Sequence, residues 1–164
     1  MQRSTNSLLL CAVLLLTGTL GCSDSAPSTA QITLDKTPPK AWTDPVIESF
    51  DKTSGEDTMR IEVFEVGTGD VVEAGDKVSV HYQGWMPNRP FFFDESFTRG
   101  KTFDFSLGQK QVIPGWDLGF EGMTVGTRAR LHIPYGLAYG EKGRPPEMPP
   151  KADLIFDVHL VSYL

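Results

Sequence analysis

Val112-Ile113-Pro114-Gly115-Trp116 is the stretch that decides how this chain is read. Pro114 suits the first turn of a helix, where a missing N–H goes unnoticed, so the stretch predicts one short helix over roughly residues 113 to 122. Gly115, Gly119 and Gly122 weaken that helix intrinsically, so packing must hold it in place. Trp116 then offers an indole face as the floor of a pocket. Two other uncommon patterns flank it, Phe93-Asp94 upstream and Leu137-Ala138-Tyr139-Gly140 downstream, and they can supply aromatic walls, one carboxylate and one phenol. A site of that composition suits an apolar ligand whose carbonyls need hydrogen bonds.

On both sides the texture is that of strands. Arg60 to Val66 alternates apolar and polar residues, and Lys77 to Gln83 does so again with Val78, Val80 and Tyr82 on one face. Gly67-Thr68-Gly69-Asp70 and Gly75-Asp76 are turn signals. Thr102 to Ser106 reads as a short strand, and Arg128 to Ile133 places Leu131 and Ile133 inside with Arg128, Arg130 and His132 outside. Leu154, Phe156, Val158 and Leu160 mark a long last strand. One short helix against a mostly antiparallel sheet predicts an α+β domain over residues 59–164. Two loops rich in Gly and Pro, Met86 to Phe92 and Gly136 to Pro150, are candidates for function.

The 164-residue chain carries a net charge of −6 and no Lys/Arg block, which disfavours nucleic-acid binding. Its start reads as a signal peptide over residues 1–21, with Arg3 ahead of the apolar run Leu8 to Leu16 and small residues following. Nine residues rising about 1.5 Å each fall far short of a ~30 Å hydrocarbon core. Thr19-Leu20-Gly21-Cys22 resembles the lipobox of bacterial lipoproteins, although Thr19 stands where Leu is usual. The resemblance implies a lipidated Cys22 that tethers the protein without a spanning helix; the alternative is a secreted protein with a free thiol. Residues 22–58 read as a partly flexible linker, with Trp42, Val46, Ile47 and Phe50 apolar enough for part of it to dock. His81, His132 and His159 lie far apart on outward phases, with no metal-ligand spacing, and no nucleophile is paired with a base. No cofactor is expected.

Val80-His81-Tyr82, Phe93-Asp94, Phe103-Asp104-Phe105, Val112 to Trp116, Val125-Gly126, Ala138-Tyr139-Gly140, Pro149-Pro150 and Leu154 to Val158 occur in one order and spacing. In that order they resemble the FKBP-type peptidyl-prolyl cis–trans isomerases, the macrolide-binding immunophilins, over about residues 59 to 164. The resemblance implies a bent antiparallel sheet wrapped around one short helix, with the ligand pocket between them. It makes Trp116 the floor and Tyr82, Phe93, Phe103, Val112, Ile113 and Phe156 the walls. Asp94 becomes a buried carboxylate with Arg99 near it, and Tyr139 and the Ile113 N–H become donors to bound carbonyls. Gln111, Arg144 and Met148 complete the substrate-binding set, and each departs from the family's usual Glu, His and Ile. Tyr82, Trp116 or Phe156 alone would read as core; only the joint pattern makes them a site.

The expectation is therefore an exported, lipid-anchored, monomeric isomerase acting on proline-containing clients of the cell envelope and open to rapamycin-type macrolides. The rival reading is a non-catalytic binding or chaperone module that uses the same pocket.

Overall fold

The computed structural model describes residues 44–89 and 91–164. The signal-peptide and Cys22 expectations lie outside the described residues. Among the described residues seven strands form one sheet: β1 (Glu48–Ser54), β2 (Asp57–Glu65), β3 (Lys77–Trp85), β4 (Asp94–Glu95), β5 (Phe103–Ser106), β6 (Arg128–Ile133) and β7 (Leu154–Tyr163). Their order is β1-β2-β6-β7-β3-β4, with β5 also on β3, and all pairs are antiparallel. Register shifts between Val63 and Glu65 and between Ser79 and Val80 mark where extra residues bend the sheet.

The alternation read from sequence places Ile61, Val63, Val80, Leu131, Phe156 and Val158 in the core. The α+β expectation of a bent sheet around one short helix holds. Helix α1 (Pro114–Phe120) is shorter than the sequence reading, with Ile113 as its extended N-cap. It buries Gly115, Trp116, Gly119 and Phe120 against the sheet. The glycines that weaken this helix also allow its approach. A Cβ on Gly115 would stand 2.5 Å from Ile133 Cγ2, closer than real Cβ atoms come.

Three features depart from the sequence reading. Glu48–Ser54, inside the stretch read as linker, is a strand paired residue for residue with β2, and β2 itself starts before residue 59. The short β4 was not anticipated. Two single-turn 3₁₀ helices occur at the Gly136–Pro150 loop, Tyr135–Leu137 where it begins and Gly140–Lys142 within it. Among the described residues no helix is long and apolar enough to cross a membrane.

Candidate active site

Trp116 is 4% exposed, and aromatic rings from three strands meet it nearly at right angles. Ring centroids lie 5.1 Å away for Tyr82, 5.9 Å for Phe103 and 5.2 Å for Phe156. Such edge-to-face packing is the favoured arrangement of aromatic quadrupoles. Phe105 and Phe120 brace the indole, at 5.6 and 5.7 Å. Phe93 meets Phe156 at 89°. Gly84 on β3 makes room for these rings, since a Cβ there would lie 2.5 Å from Phe156 Cε1 and 2.9 Å from Phe93 Cζ.

The rings enclose a cavity of about 240 Å³ lined by Tyr82, Phe93, Asp94, Phe103, Gln111, Val112, Ile113, Trp116, Tyr139, Arg144 and Phe156. All eleven belong to the thirteen residues expected from sequence. A larger cavity of about 450 Å³ opens beside α1 around Leu107, Pro114 and Leu118, without aromatic walls. The smaller one is the better candidate on chemistry, because apolar rings and a few converging polar groups meet there.

Two expectations are corrected. Asp94 is not buried: its side chain is 47% exposed. It stands on a two-residue edge strand that lines the cavity, and such a strand leaves the carboxylate open to solvent on one side. Its oxygens accept from Tyr82 Oη at 2.6 Å, Arg99 Nη1 at 2.6 Å and the Glu95 N–H at 2.9 Å. Met148, expected in the substrate-binding set, is instead 3% exposed in the core and absent from the lining. It anchors the loop, accepting from the Arg144 N–H and donating its own N–H to the Arg144 carbonyl, at 2.9 and 3.0 Å. Arg99 does not line the cavity, but its Nη2 donates to Tyr82 Oη at 2.7 Å and closes a three-residue ring with Asp94.

Burial, with the bond to Asp94 adding to it, pushes the Tyr82 phenol up to about 12, while Arg99 opposes the shift. Tyr82 therefore stays a neutral donor across the physiological range. The bond to Asp94 also raises the Arg99 guanidinium, so the ring is a neutral phenol tied to a charge pair. Gln111 turns its Oε1 to the Ser106 N–H at 2.9 Å. Among the described residues, neither the Tyr139 hydroxyl nor the Ile113 N–H has a protein partner. Two donors at the rim of an apolar box are what a peptide's carbonyls require. Among the described residues no cluster of His, Cys, Asp and Glu is arranged to hold a metal ion.

Residues 68–161 match the family of FKBP-type peptidyl-prolyl cis-trans isomerases. The chain belongs to that family. It is 53% identical over 88 residues to the peptidyl-prolyl cis-trans isomerase FPR2 of Saccharomyces cerevisiae, covering 54% of this chain and 65% of that protein. It is 43% identical over 106 residues to FK506-binding protein 1 of Debaryomyces hansenii, covering 64% of this chain and 94% of that protein. The crystal structure of FkpA from Escherichia coli superposes with a TM-score of 0.61 at 38% identity, over 69% of this chain and 51% of that one. The match thus spans less than two thirds of the yeast isomerase and about half of FkpA. As an FKBP-type domain, the chain has its cavity between helix and sheet, on the helix that carries Trp116.

Sequence reasoning passed over Gly84. An isolated glycine within a strand pattern signals close approach by another group, and that signal was present.

Proposed function

We propose that this protein is a peptidyl-prolyl cis–trans isomerase that takes a prolyl amide into the box of Trp116, Tyr82, Phe103 and Phe156. The carrying observation is the pair of unpartnered donors, Tyr139 Oη and the Ile113 N–H, beside that apolar floor. An X–Pro bond isomerises over a barrier of about 18–20 kcal/mol that comes from amide resonance. Water favours the planar amide, whose carbonyl carries more charge. An apolar box removes that preference and fits the pyrrolidine ring, and only interactions stronger in the twisted state lower the barrier. Tyr139 and Ile113 hold the carbonyls of the segment. Asp94, already bonded to Arg99 and Tyr82, fixes the wall and the local field and transfers no proton.

In this reading the protein is exported through residues 1–21, tethered by a lipid on Cys22, and acts on envelope proteins whose folding waits on slow prolines. The FK506-binding name of the Debaryomyces relative supports an affinity for macrolides.

The test is a cis–trans assay of the purified protein on proline peptides, with and without rapamycin. Catalysis abolished by the macrolide is expected. Tyr139→Phe should lower kcat about two- to tenfold, the value of one hydrogen bond. Peptide binding without turnover would leave the binding-module reading instead. Cys22→Ser should release the protein from the membrane fraction; continued attachment would remove the lipid.

A further inference from the structure

Two charged side chains, Asp94 and Arg144, line the cavity. Asp94 and Arg99 neutralise each other at 2.6 Å. Arg144, which lines the cavity, forms no ion pair among the described residues. The nearby loop acid Glu141 is taken by Lys151 at 3.0 Å. Glu147, in the turn that Arg144 and Met148 close, is exposed and does not line the cavity, so Arg144 is the unpaired charge of the lining itself.

Arg144 is also positioned. Both its backbone N–H and its carbonyl are clamped to Met148, itself buried in the core. Its guanidinium carbon lies 5.9 Å from the centre of the Tyr139 ring, within range of a cation–π contact. A guanidinium is a planar fork that matches a carboxylate with two parallel hydrogen bonds. Tyr139 is the group that holds a substrate carbonyl in the proposed mechanism. Residues along an extended chain are about 3.3–3.6 Å apart, so with Arg144 beside the Tyr139 ring a carboxylate within its reach belongs to a residue close in sequence to the one whose carbonyl Tyr139 holds.

We propose that Arg144 makes this site selective for proline segments with an aspartate or glutamate adjoining the proline. The inference rests on the isomerase reading of the cavity and adds the substrate class. Because the pair forms at an exposed rim, its effect is modest and weakens with salt.

The experiment compares tetrapeptides with Glu, Gln or Lys immediately before or after proline. Affinity is read by calorimetry and kcat/KM by the cis–trans assay, at about 0.05 M and about 0.5 M NaCl, where screening lengths differ severalfold. The wild type should favour Glu over Lys about three- to tenfold at low salt and less at high salt. Arg144→Gln should bring the two peptides level, and Arg144→Glu should reverse their order. Equal use of Glu and Lys by the wild type, or a preference that survives Arg144→Glu, overturns the proposal. Should either variant fold poorly, the wild-type comparison at two salts still decides. A charge preference in binding with no turnover would keep this inference and overturn the isomerase reading. Turnover without charge preference would do the reverse, and silence in both assays would overturn both.

Discussion

Gly84 is the residue on which the shape of the pocket depends most directly. In Gly84→Ala, the new Cβ would meet Phe156 at 2.5 Å and Phe93 at 2.9 Å. Phe156 is itself packed against Trp116, so it cannot yield freely, and the overpacking should cost about 1–3 kcal/mol. Urea unfolding would read the loss, and rapamycin affinity should fall with it. Unchanged stability would show that Phe156 and Phe93 shift together to absorb the methyl. At this scale the sequence was informative about residue types and poor on burial. Aromatic floor and walls were legible because their identities and spacing form one joint pattern. Asp94 and Met148 were misplaced because their exposure depends on which elements cover them. A two-residue edge strand and a hairpin within a loop leave no periodicity to read.

Among the elements, β1 was hidden for a similar reason. Glu48–Ser54 is almost wholly exposed and carries a single large apolar residue, so no alternation marks it. Its importance lies in Lys52, whose Nζ donates to the carbonyls of Leu118 and Glu121, the last turn of α1. A cation there satisfies orphan carbonyls and complements the helix dipole. Lys52→Met should cost about 0.5–1.5 kcal/mol and, because α1 carries Trp116, should loosen ligand binding as well. A melting temperature and affinity equal to wild type would leave β1 a passive edge. The outward row on the sheet was legible in phase but not in chemistry. Arg130, read as solvent-facing, reaches Asp157 at 2.7 and 3.1 Å and lies between the rings of Phe64 and Trp85. Asp157 is fully buried, and burial lifts its carboxyl above the ordinary range against the opposition of Arg130 and Gln83. Arg130→Met strands that group and should cost about 3 kcal/mol, whereas Arg130→Met with Asp157→Leu should recover most of it. Equal losses in the single and double variants would mean that the apolar replacements pack poorly and the charge is incidental.

Across the whole molecule, the antiparallel order places one titratable row over four strands. Glu65 on β2 is opposite Arg128 on β6, Arg128 is opposite His159 on β7, and His159 is opposite His81 on β3, whose Nδ1 lies 2.9 Å from Ser96 Oγ. Burial lowers both histidines; for His159, Arg128 and His81 lower it further and Glu65 opposes them. A histidine whose folded pKa lies below its unfolded value, about 6.5, binds protons more readily when unfolded. Its contribution to stability is therefore present above pH ~6.5 and lost as pH falls from there toward the folded value. Asp157 has the opposite sign, since a raised carboxyl favours the folded state as pH falls. Comparing variant with wild type separates the two effects. The melting temperature of His81→Gln with His159→Gln should change less between pH 7.5 and 5.5 than that of wild type, with Asp157 common to both. Parallel pH profiles would take the histidine row out of the account and leave the acid response to the carboxylates.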